Sequence, residues 1–457
     1  MYRVRAVAVN TIRQALRLKV AVVFLLLLLV LLPAMGFSVS GDGTLKGRLQ
    51  TFTSYGLSLT NLLLCLLTII VSIYSVTSDI DQGQIYTVVT KPIRRFEIIL
   101  GKVAGVILLD VGLLVVFSAV VYTIVVYMPR FSKAANEEKA IIENEFFTAR
   151  AGLLPALVDV SKQVEADFKK VVESGQMEQL FPGRTTKEII AELTTRRRLE
   201  KQAAAVGREL VWEFNNVRPQ DPNGSLFIRF KYDVSAEPAD SQVWSQWLVG
   251  DYRQARDGVP AETPMYRADR KDPIRTFREI EVPADAVAKD GYLAVAFFNV
   301  PLNSTVVIFP LEDGLEVLYK ADTFTANYIR AVLLILSRLV FLACLGVLAG
   351  SFLSFPVAIM LCLVVFFTGT ISGFVLESFD LLGGQLNIIY SYTIRLVIQM
   401  LPRFDQINPT SFLVPGRLLR WTLLGKIVLF MVCVRALVLL AFALIIFSRR
   451  EIARITV

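Results

Sequence analysis

Six long apolar segments constrain this sequence more than any other feature. Each is about as long as the ~17–25 residues that a transmembrane helix requires. Hydrophobic residues make up 54% of the chain, above the roughly 45–50% that is usual for soluble domains. The sequence therefore predicts an integral membrane α-helical bundle of about six transmembrane helices, centred on Val20–Phe37, Leu57–Tyr74, Val103–Tyr127, Ala331–Leu353, Pro356–Leu376 and Ile427–Phe447.

The first apolar segment follows a basic, amphipathic segment at residues 1–19, which we expect to lie at the cytoplasmic interface. A cleaved signal peptide is the alternative, because small residues follow the apolar run. The run is longer than the 7–15 apolar residues typical of signal peptides. This length favours a retained helix.

Composition excludes several kinds of function. The chain has no histidine, which excludes Ser-His-Asp triads and histidine metal sites. All four cysteines lie in the apolar segments, so no disulfide framework is expected outside the membrane. The net charge of +8 belongs to the membrane part, since residues 129–325 are net acidic. No soluble basic domain is left to bind nucleic acid.

Basic residues predict the orientation of the helices. They cluster before the first apolar segment, between the second and third, and after the sixth. The positive-inside rule places all three clusters in the cytoplasm. We therefore expect a multi-pass protein of the cell (inner) membrane with both termini cytoplasmic. The connection before the last helix is also basic, and we interpret residues 385–402 within it as an interfacial or re-entrant segment.

The remaining domain assignments follow from this frame. Residues 20–128 hold the first three transmembrane helices and residues 326–457 the last three. Residues 129–325 form an extracytoplasmic α+β insert. Its first part, 131–215, is charged and helical in pattern, whereas 224–320 has short runs of β-favouring residues that predict a small β-sandwich.

A polar stretch between the second and third apolar segments, within residues 77–102, carries the most specific pattern. It includes SDIDQGQIYTVVTKPIRRFEIILGK, from Ser78 to Lys102. Glycine and proline predict turns there, and rigid helices on both sides would transmit force applied by a cytoplasmic partner. The order is an acidic residue, three residues and a glycine, then a basic-proline motif and finally Gly-Lys. Its members are Asp79, Gly83, Lys91, Pro92, Ile93, Arg95, Gly101 and Lys102.

This order resembles the coupling segment of ABC-2 type transporter permeases. The amphipathic amino-terminal segment, LPRFDQINP before the last apolar segment and FSRREI at its end agree with that resemblance. It covers approximately residues 1–128 and 326–457. Three features depart from the family: Asp79 replaces its usual glutamate, Gln84 replaces its usual threonine, and the insert is far longer than the common loop.

The resemblance implies a permease homodimer, or a pseudo-dimer with a second permease, joined to cytoplasmic ATP-binding subunits. This chain has no G-x-x-x-x-G-K-[ST] phosphate-binding motif, so ATP and Mg would bind to a partner chain and this chain would need no cofactor. Lys91, Arg94 and Arg95 are then expected to contact the ATPase or lipid phosphates, with Gly83 and Pro92 shaping the turn. Alternatively, the arginines are ordinary positive-inside anchors.

Three charged residues, Asp110, Arg338 and Arg435, lie well inside the apolar segments. A charge at that depth costs at least ~2.5–3.5 kcal/mol, so it normally faces the protein interior and has a partner. We expect Asp110 to pair with Arg338 or Arg435, within one chain or across a dimer. The alternative is that these side chains line a path for an anionic or zwitterionic substrate.

The sequence thus predicts the membrane subunit of an ATP-driven transporter that works by alternating access and has no enzymatic site of its own. The expected direction of transport is export. The alternative from another class is a membrane-anchored receptor or scaffold whose extracytoplasmic domain binds a ligand or an envelope partner. An intramembrane enzyme is a weaker third reading, since Asp110 is the only acidic residue deep in a predicted span.

Overall fold

A computed structural model describes the chain except for residues 1, 40, 42, 82–93, 133–134, 157, 174–179, 182–185, 220, 222–223, 257–261, 381–397, 399–400 and 450–457. The described residues form two compact units. One combines Met1–Ala149 with Thr323–Val457, and the other is Arg150–Asp322.

The first unit is helical. Its elements are α1 (Tyr2–Leu16), α2 (Lys19–Ser38), α3 (Leu45–Asp81), α4 (Arg95–Phe131) and α5 (Asn136–Glu145), followed after the second unit by α9 (Phe324–Phe352), α10 (Phe355–Asp380), α11 (Thr410–Leu413), α12 (Trp421–Val428), a π-helical turn (Leu429–Ala436) and α13 (Leu437–Arg449).

Within the described residues, six helices are long and apolar enough to cross a membrane. They are α2, α3, α4, α9, α10 and the continuous helix Trp421–Arg449. This confirms the prediction of six apolar helices. Helices α3 and α9 lie at the centre, where most of their apolar stretches are buried, whereas α2, α10 and the last helix expose most of theirs.

The second unit holds α6 (Ser161–Glu173), α7 (Thr186–Lys201), α8 (Arg253–Arg256) and the described strands, of which the first and the last cross its boundary. These are β1 (Thr148–Leu153), β2 (Ala203–Ala204), β3 (Glu209–Phe214), β4 (Ser225–Phe230), β5 (Asp233–Val234), β6 (Gln242–Gly250), β7 (Tyr266–Pro273), β8 (Arg278–Pro283), β9 (Leu293–Asn299), β10 (Val307–Ile308) and β11 (Leu315–Thr323).

The strands form two four-stranded sheets, in the orders β1-β11-β4-β8 and β3-β9-β6-β7, and a small sheet β2-β10-β5. Aromatic side chains of the two larger sheets meet in a buried core: the rings of Phe230 on β4 and Trp247 on β6 are 4.4 Å apart. Phe297 on β9 stacks edge-on against Trp247 at 5.0 Å. Burial of large aromatic rings supplies much of the stability of such a unit.

One detail of the insert differs from the prediction. Residues 131–215 were expected to be helical, yet they also contain β1, β2 and β3. The pairing partners explain why. Strand β3 pairs along its whole length with β9, from Glu209↔Phe298 to Phe214↔Leu293, and β1 pairs with β11. These partners are remote in sequence, so local helical patterning does not reveal them.

Candidate functional site

A buried ion pair joins the two helices that flank the polar stretch. Asp79 lies in the last turn of α3, and Lys102 lies two turns into α4. The Lys102 ammonium is 2.5 Å from the Asp79 carboxylate, and it also donates a hydrogen bond to the Ser75 carbonyl. Lys102 is only 3% exposed. Both ends of the predicted coupling segment are therefore fixed to each other.

Helix α1 contributes to the same cluster. The Gln14 amide donates to the Ser78 hydroxyl at 2.9 Å and to the Asp79 carboxylate at 3.2 Å. Sequence reasoning missed Gln14, because a glutamine on an amphipathic helix is usually solvated. It links the amino-terminal helix to the end of α3, so three helices meet at Asp79.

The contact between α1 and α4 depends on two glycines spaced four residues apart. A Cβ atom at Gly101 would lie 2.6 Å from the Val7 Cβ, and one at Gly105 would lie 2.7 Å from the Ala8 carbonyl oxygen. Real Cβ atoms do not approach so closely. Small residues at this spacing let helix backbones approach one another in a membrane. Gly101, a member of the predicted motif, therefore serves helix packing.

We expect Gly105→Val to displace α1 from α4, because the new side chain meets backbone of α1 rather than a movable side chain. Overpacking of this kind typically costs about 1–3 kcal/mol. Limited proteolysis of α1 in the purified protein would measure it. Gly112→Val is the matched control on the same helix, since Gly112 is exposed and a Cβ there has no neighbour within 4 Å. Equal cleavage of both variants would contradict the packing role.

The adjacent arginines of the motif have different surroundings. Arg95 donates a hydrogen bond of 2.7 Å to the Ser448 carbonyl near the end of the last helix. The exposed Arg94 precedes α4, and its backbone N–H donates to the Glu97 carboxylate at 2.8 Å. No partner of the Arg94 side chain occurs among the described residues. Gly83, Lys91 and Pro92 lie outside the described residues.

Asp110 lies deep in the bundle and is 1% exposed. Its Oδ1 is 2.9 Å from the Thr68 hydroxyl of α3, while its Oδ2 has no hydrogen-bond partner among the described residues. Within the described residues of one chain, neither Arg338 nor Arg435 forms an ion pair with it. The expected intrachain pair is therefore not formed; pairing across a dimer stays a prediction.

Arg338 is instead held by backbone carbonyls. Its guanidinium donates to the Phe404 carbonyl at 2.8 Å and to the Ile407 carbonyl at 3.3 Å, and it lies 4.9 Å from the centre of the Phe404 ring. Both carbonyls belong to the LPRFDQINP motif. The motif thus supplies the polar partners of a buried cation on α9.

The same motif reaches the middle of the helices it contacts. The Phe404 N–H donates to the Gly369 carbonyl of α10 at 2.9 Å, and Gly369 is 11 residues, or ~16 Å, before the end of that helix. The Asp405 carboxylate accepts from Ser372 at 2.7 Å. Most of the predicted re-entrant segment 385–402 lies outside the described residues. Its last two residues and those that follow, Leu401–Ile407, are described and lie beside the middle of α10.

Arg435 has a third kind of environment. It lies in the π-helical turn of the last span, half-buried, with its guanidinium 4.7 Å from the centre of the Phe430 ring. A cation above an aromatic face is stabilised by the ring quadrupole. Asp110, Arg338 and Arg435 therefore lie in three separate environments within the described part of the chain, and no two of them form an ion pair.

No family model matches the chain, and neither does a curated protein or a solved structure. Among the described residues, no cluster of three or more His, Cys, Asp or Glu side chains could hold a metal ion. What the structure defines is a chain with six membrane-length apolar helices and a β-rich second unit.

Proposed function

We propose that the chain is the permease subunit of an ATP-driven transporter of the ABC-2 type, working as a dimer with separate ATP-binding subunits. The observation that carries the proposal is the cluster of Asp79, Lys102 and Gln14. It fixes both ends of the polar stretch to α1. A partner that pushes on this stretch would move α1, α3 and α4 together.

Such a linkage is what conversion of ATP energy into transport requires. Closure of the ATP-binding subunits moves a cytoplasmic element, and rigid helices convey that motion to the substrate path. Arg94 is the proposed contact with the ATPase, because it is exposed and its side chain has no partner among the described residues. Arg95 is proposed to act differently, by tying α4 to the last helix through Ser448.

The orientation and the assembly belong to the same proposal. Both termini and the polar stretch would face the cytoplasm, in keeping with their basic residues, and the β-rich unit would lie outside. ATP and Mg would bind only to the partner subunits. The direction is proposed to be export. Asp110 is proposed to meet the substrate or the second copy of the chain, because its Oδ2 has no partner among the described residues, whereas Arg338 is already held by backbone carbonyls.

Charge reversal of Arg94 tests the proposed contact. In a co-purified complex reconstituted in lipid nanodiscs, Arg94→Glu is expected to release the ATP-binding subunit or to lower its ATP turnover by at least about tenfold, equivalent to ~1.4 kcal/mol. Arg208→Glu is the matched control, since it changes the charge equally at an exposed position of the insert. Equal turnover in wild type and Arg94→Glu would refute the contact, leaving Arg94 as a positive-inside anchor.

A further inference from the structure

The end of the bundle opposite the Asp79–Lys102 pair contains an apolar groove, which the proposed function does not use. It lies where α2 and α4 end and α3 begins, and it has a volume of about 830 Å³. Gly36 of α2 and Ala119, Thr123 and Tyr127 of α4 line it together with Arg48 of α3. Its volume is within the ~300–1,000 Å³ common for small-molecule sites.

The position of the groove along α4 sets its depth in a membrane. Tyr127 follows Lys102 by 25 residues of one continuous helix, which corresponds to ~37 Å. A hydrocarbon core is about 30 Å thick, and tyrosine favours the membrane–water interface. Ala119 lies two turns closer to the bundle centre. The groove therefore runs from headgroup level into the hydrocarbon layer.

Arg48 is the charged residue in the lining of this groove. Its Nε donates to the Val39 carbonyl at 2.9 Å, and it forms no ion pair with any described carboxylate. Its neighbour Lys46, in contrast, is paired with Glu145. Arg48 also lies near the start of α3, where the helix dipole disfavours a cation. The position would be stabilised by an anion from outside the chain.

A second cation, Arg130, lies next to Tyr127 of the lining. The Arg130 guanidinium is 4.8 Å from the centre of the Tyr127 ring. Two of the lining residues, Phe37 and Phe131, are 89% and 85% exposed, so the groove opens on an apolar surface. The apolar lining suits the acyl chains of a phospholipid, and the two guanidinium groups suit its phosphate.

We propose that this groove binds one anionic phospholipid, with an acyl chain along Gly36, Ala119 and Thr123 and its phosphate at Arg48. The choice of an anionic lipid rests on charge complementarity, since among the described residues the lining carries the Arg48 guanidinium and no carboxylate. This inference goes beyond the proposed function and does not depend on it, because an anchor or receptor with this groove would bind the lipid equally.

The test uses the full-length protein in nanodiscs containing equal amounts of phosphatidylglycerol and phosphatidylcholine, with retained lipid counted by native mass spectrometry after transfer to detergent. Wild type is expected to retain phosphatidylglycerol with about fivefold preference, as one basic residue beside an anionic lipid contributes ~1 kcal/mol. Arg48→Gln should abolish the preference and Arg48→Lys should keep it. Thr123→Trp, which fills the groove, should remove the retained lipid altogether.

Arg435→Gln is the control, because it removes an intramembrane guanidinium that does not line the groove. Its lipid preference should equal that of wild type. Equal retention of both lipids by wild type, or an unchanged preference in Arg48→Gln, would overturn the anionic headgroup site. Unchanged retention in Thr123→Trp, in protein that elutes as wild type in size-exclusion chromatography, would show that the lipid lies elsewhere and would overturn the groove.

Discussion

Replacing Lys102 with methionine is expected to lower the free energy of unfolding by about 3–5 kcal/mol, since removing one partner of a buried ion pair leaves the other charge uncompensated. The Asp79–Lys102 pair is buried in this sense, because Lys102 is 3% and Asp79 9% exposed. The substitution also removes the donor to the Ser75 carbonyl. Loss of the pair frees the end of α3 from the start of α4.

Two further variants make this prediction specific. Lys46→Met removes the lysine of another ion pair, with Glu145, but the Lys46 side chain is 36% exposed. Exposed pairs contribute about 0–1 kcal/mol, so a small loss is expected there. Asp79→Asn combined with Lys102→Met should be less destabilised than Lys102→Met alone, because no charge is left unpaired. Denaturation in mixed micelles measures all three, and equal losses for Lys102→Met and Lys46→Met would contradict the buried pair.

Replacing Arg338 with methionine is expected to cost about 3 kcal/mol or more, because hydrogen bonds from a charged donor contribute ~1.5–3 kcal/mol each. The carbonyls of Phe404 and Ile407 would lose their donor inside the bundle. The effect should concentrate in the segment Leu401–Ile407. Hydrogen exchange at these amides, read by mass spectrometry in nanodiscs, is expected to rise.

Arg435→Met is the matched control for this substitution, since Arg435 is half-buried and contacts the Phe430 ring rather than a carbonyl. It should leave the exchange of Leu401–Ile407 unchanged. Arg338→Lys should recover part of the protection, because an ammonium can still donate to one carbonyl. If Arg338→Met leaves exchange in this segment as in wild type, the guanidinium does not hold the motif in place.

The six membrane-length helices were predictable from sequence because hydropathy acts over a whole segment. The ends of these helices were harder to predict. The second apolar run predicts a helix core of Leu57–Tyr74, whereas α3 extends from Leu45 to Asp81. Polar residues at both ends of α3 are buried against other elements, as Thr53 and Ser78 are. Because these residues are polar, hydropathy predicts that the helix ends where they begin.

The candidate site was predictable only in its residues, not in its contacts. Sequence spacing pointed to Asp79 and Lys102, but their mutual pairing follows from how α3 and α4 cross. Gln14 and Ser75 carry no sequence signal of their own, because each gains its role from a partner on another helix. Asp405 lies in the quoted LPRFDQINP motif, but the motif does not show that Ser372 is its partner. Arg338 finds carbonyls instead of Asp110 for the same reason.

The most direct test of the transporter proposal is ATP hydrolysis by a purified complex. The full-length chain would be co-expressed with candidate stand-alone ATP-binding subunits, purified through a tag on this chain and reconstituted in nanodiscs. An ATP-binding subunit is expected to co-purify, and its rate of ATP hydrolysis is expected to change when this chain is present. Failure of the ATP-binding subunit to co-purify, with or without nucleotide, would contradict the account and favour a receptor or scaffold.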